Sequence, residues 1–424
     1  MEEIYDDILK FYFGQGFLHK INKDIRRQFS GVNRIEKIRN YLAPFVKFVQ
    51  QEIQFQRQYQ QHLNAHNIHG KTWLFFSTSN NYDSLQFLTN KLDNSILIGF
   101  GQSFGQDATI HLPFHRKALY LWKFPKIQRY FKQKYGQDAV RFGDLLFNSI
   151  GLYEIAFQYL SKYQPRCLVL ANDHSEKQRA LLNAAQRLNI PVVYIQHASI
   201  TDFMPPLDFD LSLLEGQASL DKYRELGRIK GQVKLVGMPK FDNYVQFRKP
   251  TQKVQSIGCC TNLLDNQKDI ETVIQQLSIR FPKCQISFRP HPNDKRDFIL
   301  PNTVQVSTRA ETSFDFLQRQ DVLIAGTSSI HLEAILLNIN SIYFEITQLE
   351  EELRDAYGYV RNGMIEAAAD IPELISKIEE LQQSNAPVFM KAKYYNAVVG
   401  TPHEGQSGTL AAQYIRDFLK DFKR

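Results

Sequence analysis

Four short stretches of the sequence place polar, chemically active side chains directly after an apolar run. The stretches are PRCLVLANDH, VVYIQHAS, ISFRPHP and VLIAGTSS. Their polar residues include proton acceptors, a cation and hydrogen-bond donors, namely Asn172, Asp173, His174, Gln196, His197, Ser199, Arg289, His291, Thr327, Ser328 and Ser329. Open α/β sheets bind ligands beyond the carboxyl ends of their strands. The four stretches therefore predict one shared site.

The stretch around Arg289 has the chemistry of an anion site. Pro290 and Pro292 lie on either side of His291, and each proline ring fixes its own backbone angle. A guanidinium and an imidazole are therefore held in defined directions just beyond a strand. We expect Arg289 and His291 to contact the phosphate of a ligand.

A second anion site is predicted in the stretch that begins with Gly326. The glycine permits a tight turn, and Thr327, Ser328 and Ser329 are expected to cap a helix whose first N–H groups and dipole attract phosphate oxygens. Glu333 follows about one turn later, where its carboxylate could accept hydrogen bonds from ribose hydroxyls. An ordinary serine-capped helix with an acidic first turn would have the same sequence, so both interpretations stay open.

The pattern of apolar runs indicates the scaffold that positions these side chains. From Lys71 onward short apolar runs alternate with helical stretches, which is typical of a mostly parallel sheet. The first series of predicted strands is KTWLFFST, NSILIGFG, KALYLWKF, PRCLVLAND, IPVVYIQH, FDLSLLEG and VKLVGMPKFD. After the polar segment FRKPTQKVQ, a second series follows with SIGCCTN, CQISFRPHP, TVQVST, DVLIAGTSS and NSIYFEI. We predict an α/β fold with two Rossmann-like domains, a cleft between them and helices at the N-terminus.

Composition limits the classes of partner. The 424 residues are 43% hydrophobic and carry a formal net charge of +7, which favours nucleotide phosphates, anionic lipid headgroups or nucleic acid. No basic-aromatic module or zinc spacing supports nucleic acid, so we expect none. The four cysteines lack metal-ligand spacing and indicate buried thiols of a cytoplasmic protein.

Membrane contact is predicted only at the surface. No window approaches the ~20 apolar residues of a membrane span. Three segments mix basic and apolar residues at helical spacing, namely HKINKDIRRQF, NRIEKIRNYLAPFVKF and YIRDFLKDFKR. They are consistent with peripheral contact with an anionic membrane, and equally with solvated helix faces.

Taken in chain order, the stretches resemble a known superfamily. QHAS, FDLSLLEG, GMPKFD, FRPHP and AGTSSIHLEA are similar to the GT-B transferases of bacterial surface polysaccharide synthesis, including teichoic-acid polyol-phosphate transferases and sialyl- and Kdo-transferases with an HP motif. UDP-GlcNAc 2-epimerases share the general order. The sequence departs from the polyol-phosphate transferase pattern at Ala198, where glycine is usual, and at Lys240, where arginine is usual.

The resemblance covers about residues 166–346 and implies a two-domain GT-B fold, while the pattern of apolar runs and polar segments gives the expected boundaries. The N-terminal helical region is expected over 1–66, the acceptor-side domain over 67–248 and the nucleotide-donor domain over 249–402. A final helix over 403–424 is expected to cross back to the first domain. His403, Glu404 and Ser407 are then candidates for contacts with the sugar.

The resemblance also implies a metal-independent glycosyl- or polyol-phosphate transferase. The HP motif favours a CMP-sugar or CDP-polyol donor over a UDP-sugar, and the acceptor would be an oligosaccharide or a lipid-linked glycan. No further cofactor is expected. Asp208 and Asp210 lie at the predicted start of a strand, where polar and apolar residues alternate in any case. We therefore predict no metal site there.

Residue chemistry assigns the roles. Transfer needs a base for the acceptor hydroxyl and a cationic group for the departing phosphate. His197 is predicted to be the base, because the ordinary pKa of histidine suits proton transfer; a structural, hydrogen-bonded histidine is the alternative. Asp173 and His174 are second candidates for the base, and Gln196 and Ser199 for sugar or acceptor contacts.

Two other classes of protein stay open. A sugar-nucleotide 2-epimerase would use UDP and release free hexosamine without an acceptor, and it would need several carboxylates around the sugar. A non-catalytic nucleotide- or nucleic-acid-binding protein is favoured only by the net charge.

Overall fold

The structure is a computed structural model, and it describes residues 2–13, 49–57, 67–99, 110–136, 143–201, 204–251, 253–263, 265–348, 351, 354–383 and 386–422. The predicted basic segments HKINKDIRRQF and NRIEKIRNYLAPFVKF lie outside the described residues. Of the predicted N-terminal helical region, Glu2–Phe13 and 49–57 are helical.

The first domain is built on a parallel sheet of seven strands. Their order across the sheet is β3-β2-β1-β4-β5-β6-β7. In chain order the strands are β1 Thr72–Phe76, β2 Ser95–Gly99, β3 Ile110–His111, β4 Cys167–Leu170, β5 Val192–Ile195, β6 Leu211–Leu214 and β7 Gln232–Leu235. The central strands are apolar and buried along their whole length, since helices cover both faces of such a sheet.

The second domain is built on a parallel sheet of six strands in the order β10-β9-β8-β11-β12-β13. They are β8 Ser256–Cys260, β9 Gln285–Arg289, β10 Gln305–Val306, β11 Val322–Ala325, β12 Asn340–Phe344 and β13 Glu366–Ala368. Two parallel sheets with flanking helices confirm the predicted α/β, GT-B-like architecture.

Helices connect and cover the strands. Beyond Glu2–Phe13, the α-helices with defined bounds are Ser79–Asp83, Phe124–Tyr135, Gly143–Tyr163, Glu176–Arg187, Gln217–Leu226, Gln267–Arg280, Ser313–Leu317, Ile330–Leu336, Ile371–Gln383 and Ser407–Asp421. Short 3-10 helices cover Gln86–Leu88, Phe114–Lys123, Pro239–Phe247 and Phe389–Tyr394. No helix of the described residues is long and apolar enough to cross a lipid bilayer.

The last helix, Ser407–Asp421, packs against the first domain. Ala411, Ala412 and Ile415 are fully buried in the same apolar cluster as Leu74 of β1 and Val193 of β5. The chain thus leaves the second domain and returns to the first before it ends.

One predicted strand is wrong. KALYLWKF lies in the 3-10 helix Phe114–Lys123 and the first residue of the following helix. Leu119, Leu121 and Trp122 are exposed there, whereas an inner strand of this sheet would bury them. An apolar run without alternation does not distinguish a strand from a helix. The short strands β3 and β13 were not predicted, because two or three residues give no periodicity.

Candidate functional site

The register of the first sheet brings three strand ends together. Leu170 of β4 pairs with Tyr194 of β5, and Ile195 of β5 pairs with Leu213 of β6. Neighbouring strands lie about 5 Å apart, so the residues that follow β4, β5 and β6 share one edge of the sheet. Asp173 and His174, then Gln196 and His197, and then Glu215 lie at this edge.

Asp173 is the centre of a buried hydrogen-bond network. The Tyr223 hydroxyl donates to its Oδ2 over 2.6 Å, and Nδ1 of His174 lies 2.9 Å from its Oδ1. Burial opposes ionisation of the carboxyl, but the hydrogen bonds from His174 and Tyr223 prevail and lower the pKa of Asp173. Asp173 is therefore an anion that fixes His174 and Tyr223.

His197 lies beside this network with one free ring nitrogen. Its Nδ1 atom is buried and has no hydrogen-bond partner. Burial lowers the pKa of His197 to about 4, although the nearby Asp173 carboxylate acts in the opposite direction. The imidazole is neutral at pH 7, as a proton acceptor must be.

Glu215 is a carboxyl group that the sequence analysis did not single out. It follows β6 and is 3% exposed. Its backbone N–H donates to Oε1 of Gln196 over 2.9 Å, and Nε2 of Gln196 lies 3.4 Å from its Oε2. Burial raises the pKa of Glu215 to about 7, with Lys240 opposing and Glu333 assisting the shift. Glu215 can therefore exchange a proton near neutral pH.

Lys240 connects the two domains at this point. It belongs to the 3-10 helix Pro239–Phe247 that links them, and its Nζ lies 2.7 Å from Oε1 of Glu333 on the second domain. Burial disfavours the charged amine, yet the charges of Glu333 and Glu215 raise the pKa of Lys240. The other carboxylate oxygen of Glu333, Oε2, is buried without a hydrogen-bond partner. This oxygen can accept a hydrogen bond from a ligand.

The second sheet presents its own strand ends. Arg289 pairs with Cys260 of the neighbouring β8, and Cys260 pairs with Ala325 of β11. Two strand spacings, about 10 Å, therefore separate the backbone of Arg289 from that of Ala325. Nη1 of Arg289 donates to Oγ of Ser307 over 2.9 Å. Between them, after β8, Oγ1 of Thr261 is buried and has no partner.

His291 lies on the loop beyond Arg289 and is half-buried. Its Nδ1 accepts a hydrogen bond of 3.2 Å from the backbone N–H of Asn293. With Nδ1 occupied in this way, Nε2 carries the proton, and His291 can donate from Nε2 to an anion.

The serine stretch after β11 differs in detail from the predicted cap. Ser329 occupies the N-cap position of the helix Ile330–Leu336 without a side-chain hydrogen bond. Oγ of Ser328 accepts a long hydrogen bond of 3.4 Å from the N–H of Ile330, and Oγ1 of Thr327 lies 3.2 Å from the Tyr343 hydroxyl. The hydroxyl of Ser329 is therefore left for another partner.

The turn itself is fixed by a histidine that was not predicted. His331 is fully buried, with Nε2 2.8 Å from the carbonyl oxygen of Gly326 and Nδ1 2.6 Å from Oγ of Ser341. Burial lowers the pKa of His331 to about 4. The neutral ring therefore holds the Gly326 turn against β12.

A cavity of about 230 Å³ lies between the domains. Gln196, Ser199 and Glu215 line it from the first domain. The residues that complete its wall are Ile200, Ala218, Ser219, Asp221, Lys222, Glu225, Leu332, Tyr357, Arg361, Asn362, Tyr394 and Tyr395. The wall mixes carboxyl, amide, cationic and tyrosyl groups, which is a suitable lining for a polar ligand with several hydroxyls.

The candidates near the C-terminus lie away from this lining. Nη2 of Arg248 donates to Oε1 of Glu404 over 2.6 Å, His403 is exposed, and the backbone N–H of Ser407 donates to Asp242. Glu404 and Ser407 thus join the domain connector to the start of the last helix.

The two acids considered for a metal site have structural partners. Asp208 accepts from Nη2 of Arg179 over 3.1 Å, and Oδ2 of Asp210 accepts from the N–H of Val192 over 2.9 Å. Within the described residues, no three His, Cys, Asp or Glu side chains are arranged to hold a metal ion.

Neither a protein-family model nor a curated protein sequence matches the chain. Solved structures do match. A proposed UDP-N-acetylglucosamine 2-epimerase from Listeria monocytogenes aligns with a TM-score of 0.56 at 10% identity, over 84% of this chain and 98% of that one. The UDP-GlcNAc 2-epimerase of Methanocaldococcus jannaschii, in complex with UDP-GlcNAc and UDP, aligns with a TM-score of 0.52 at 13% identity, over 82% and 99%.

A polymerase matches over more of the chain. The wall teichoic acid polymerase TagF aligns with a TM-score of 0.53 at 12% identity, over 92% of this chain and 99% of that one. At these identities the comparisons define a GT-B-like fold, which epimerases and transferases share.

Two of the residues missed from the sequence had a recognisable signal. Glu215 ends the run FDLSLLEG and Thr261 follows the run SIGCC, just as the predicted residues follow their strands. His331 had no such signal, because only the packing of its helix against β12 directs it to the Gly326 carbonyl.

Proposed function

We propose that this protein is a glycosyltransferase or polyol-phosphate transferase that uses a nucleotide-activated donor. The observation that carries the proposal is the chemistry of the strand ends, which offer a buried, unpaired imidazole nitrogen in the first domain and cationic and hydroxyl groups in the second. Gln196, Ser199 and Glu215 at the first-domain strand ends also line the interdomain cavity, whereas His197, Arg289 and Ser329 are not part of its lining. Such a division suits an acceptor bound to the first domain and a donor bound to the second.

The donor is assigned to the second domain. Arg289 neutralises charge on the departing phosphate, and His291 donates a hydrogen bond to it from Nε2. The hydroxyls of Thr261 and Ser329 donate to the other phosphate oxygens. Oε2 of Glu333, buried without a partner, accepts from a ribose hydroxyl. The spacing of about 10 Å between the strands of Arg289 and Ser329 allows a nucleotide to span them.

The acceptor reaction is assigned to His197. Its neutral ring takes the proton of the acceptor hydroxyl as the oxygen attacks the anomeric carbon of a sugar donor, or the phosphorus of a polyol-phosphate donor. The bond from that atom to the leaving phosphate breaks, and the nucleotide departs with the bonding electrons. Gln196, Ser199 and Glu215 orient the acceptor. Asp173 and His174 stabilise the first-domain strand ends through their hydrogen bonds.

We further propose a cytidine-type donor and an oligosaccharide or lipid-linked glycan of a bacterial surface polymer as the acceptor. This choice rests on the resemblance of FRPHP and AGTSSIHLEA to the transferases with an HP motif. A lipid-linked acceptor would place the protein at the inner face of the cell membrane.

A second candidate is a sugar-nucleotide 2-epimerase. Buried Glu215, with a pKa raised to about 7, and the nearby Glu333 supply carboxyl groups of the kind that proton exchange on a sugar carbon requires. An epimerase would release hexosamine from UDP-GlcNAc in the absence of any acceptor.

Thermal-shift titration with CMP, CDP, UDP and GDP tests the donor site. A nucleotide that binds only the folded state raises the free energy of unfolding, by about 2.7 kcal/mol at a concentration of one hundred times Kd. The Tm therefore rises with nucleotide concentration. We expect the largest shift with CMP or CDP. Arg289→Ala should reduce the shift and leave the Tm of the free protein within about 2 °C of wild type, because Arg289 is the last residue of β9 and its side chain is only half-buried. Arg280→Ala is the matched control, since that arginine is exposed at the end of a second-domain helix and pairs with Glu379.

A UDP preference with hexosamine released from UDP-GlcNAc would establish the epimerase instead. Equal shifts with wild type and Arg289→Ala would remove the phosphate site from the second domain.

A further inference from the structure

A surface stripe on the first domain combines exposed apolar residues with cations. Leu119, Leu121 and Trp122 are 61%, 39% and 74% exposed. They lie on the 3-10 helix Phe114–Lys123, which continues directly into the helix Phe124–Tyr135. Tryptophan has a large apolar side chain, and here it is exposed next to two exposed leucines. Contiguous exposed apolar residues of this kind are typical of interaction surfaces.

The helical spacing aligns these residues with cations. Side chains three apart are eclipsed in a 3-10 helix, which places Leu119 below Trp122. Side chains three or four apart are neighbours in an α-helix, so the line continues from Trp122 through Lys126 and Arg129 to Lys132. All of these residues are exposed, while Phe114, Ile127 and Phe131 face the core. We call Leu119, Trp122, Lys126, Arg129 and Lys132, together with Leu121, which is exposed beside this line rather than on it, the basic-aromatic stripe.

The segment that carries the stripe has basic residues and no acidic ones. Residues 114–135 include seven Lys or Arg and no Asp or Glu. Some of these cations are paired within the fold: Lys126 lies 2.8 Å from Glu2, although its side chain stays 78% exposed. Arg129 and Lys132 are exposed and have no carboxylate partner among the described residues.

We infer that the basic-aromatic stripe docks the protein on an anionic phospholipid membrane. Trp122 and the two leucines would enter the headgroup region, where tryptophan is enriched in membrane proteins. Arg129 and Lys132 would contact lipid phosphates, as basic residues do on anionic leaflets. The occupant follows from charge complementarity, because a neutral apolar partner would leave these cations unpaired. The surface is distinct from the membrane-contact segments predicted from sequence alone.

The helix that carries the stripe begins at the same end of the first sheet as the cavity-lining residues, although β3 lies four strand positions from β5. The 3-10 helix begins three residues after the end of β3, and the carboxyl ends of parallel strands share one edge. Docking here would therefore bring a membrane-borne acceptor to the first domain. The docking inference itself does not depend on the donor or on the reaction.

Tryptophan fluorescence tests docking without any assay of activity. The chain has two tryptophans, and Trp73 is fully buried, so Trp122 alone senses solvent. Vesicles of phosphatidylglycerol and phosphatidylcholine should shift the emission to the blue, and bromine-labelled acyl chains should quench it. Phosphatidylcholine vesicles should bind at least tenfold more weakly. In Trp122→Phe the response should vanish.

Sedimentation with the same vesicles separates the two parts of the stripe. Leu119→Ala with Leu121→Ala, and separately Arg129→Glu with Lys132→Glu, should each lower binding at least tenfold. Ile279→Ala with Ile299→Ala removes exposed apolar residues of the second domain as a control and should leave binding unchanged. All variants change exposed side chains, and circular dichroism checks their fold.

An emission spectrum that anionic vesicles leave unchanged would overturn the inference. So would equal binding to neutral vesicles. If stripe variants convert a dimer into a monomer and vesicles have no effect, the stripe is a self-association surface and the membrane proposal is wrong.

Discussion

Buried ionisable side chains give the candidate site its chemistry. His197 and Glu215 lie on neighbouring strand ends, yet burial moves their pKa values in opposite senses, to about 4 and about 7. Burial disfavours the charged form in each case, which is the cation for histidine and the anion for glutamate. At neutral pH the site therefore holds a neutral imidazole beside a carboxyl group that is half protonated.

The first prediction concerns His197. His197→Ala should lower the rate of transfer about a hundredfold or more, while nucleotide affinity stays near wild type, because the donor is assigned to the other domain. Protonation below the pKa of about 4 removes the acceptor lone pair, so wild-type activity should fall only toward that pH. Steady-state kinetics and the thermal shift measure the two effects separately.

His174→Ala supplies the comparison at the same edge. The substitution removes a hydrogen-bond partner of Asp173, so it should lower the free energy of unfolding more than it lowers the rate of transfer. If His197→Ala retains most of its activity, His197 is structural, and Asp173 or His174 becomes the base to test.

At the level of elements, the connector Pro239–Phe247 contacts both the second domain and the last helix. Lys240 reaches Glu333 in the cavity region, and Asp242 reaches the last helix. Oδ1 and Oδ2 of Asp242 accept hydrogen bonds from the backbone N–H groups of Ser407 and Gly408, over 2.9 Å and 2.7 Å. A carboxylate at a helix N-terminus satisfies free donors and complements the helix dipole.

The second prediction follows for Asp242. The residue at the N-cap position, Gln406, makes no side-chain cap, so Asp242→Ala leaves both N–H groups without this partner. We expect a loss of about 1–2 kcal/mol in the free energy of unfolding, together with faster hydrogen exchange in Ser407–Asp421. Urea denaturation and exchange mass spectrometry measure these changes.

Asp417→Ala on the exposed face of the same helix is the matched control, because its partner is the exposed Lys420. Equal effects of the two substitutions on the free energy of unfolding would show that the hydrogen bonds from Ser407 and Gly408 to Asp242 do not stabilise the protein.

At the level of the whole molecule, the two domains contact each other closely beside the cavity. A Cβ atom on Gly216 would lie 2.4 Å from the backbone of Tyr395, so only glycine allows this approach. The N–H of Ala397 donates to the carbonyl of Glu215 over 2.8 Å, and the hydroxyls of Ser199 and Tyr359 lie 2.6 Å apart. Glu215 is buried because these contacts hold the domains together.

The third prediction is a pH dependence of stability that depends on Glu215. Its folded-state pKa of about 7 exceeds the ordinary value of 4.5, so its contribution to the free energy of unfolding is fully present below pH 4.5 and is lost as pH rises through 7. At about 1.4 kcal/mol per pKa unit, the loss is at most about 3.5 kcal/mol. Glu215→Gln should flatten the fall of Tm over this range.

The exposed Glu380→Gln is the control and should keep the wild-type profile. Parallel pH profiles for wild type and Glu215→Gln would show that the carboxyl is solvated in the folded protein.

The sequence alone determined the class of fold and most of the strand ends. Apolar runs bounded by polar residues are local features, and β4, β5, β6, β8, β9, β11 and β12 all lie within predicted runs. Local pattern failed at KALYLWKF, because a continuous apolar run fits either a strand or a helix. The polar residues Asp173, His197, Arg289 and Ser329 were found because each lies at a strand end or within four residues after it.

Only the tertiary structure decided how those residues act. Burial and partners come from residues far apart in sequence: Lys240 reaches Glu333, Tyr223 reaches Asp173, and Tyr395 closes over Gly216. The pKa of Glu215 depends on desolvation by the assembled domains, which no local pattern encodes. Likewise the exposure of Trp122 depends on which face of its helix the core leaves uncovered. Local spacing specifies elements, and long-range packing sets the electrostatic environment in which their side chains work.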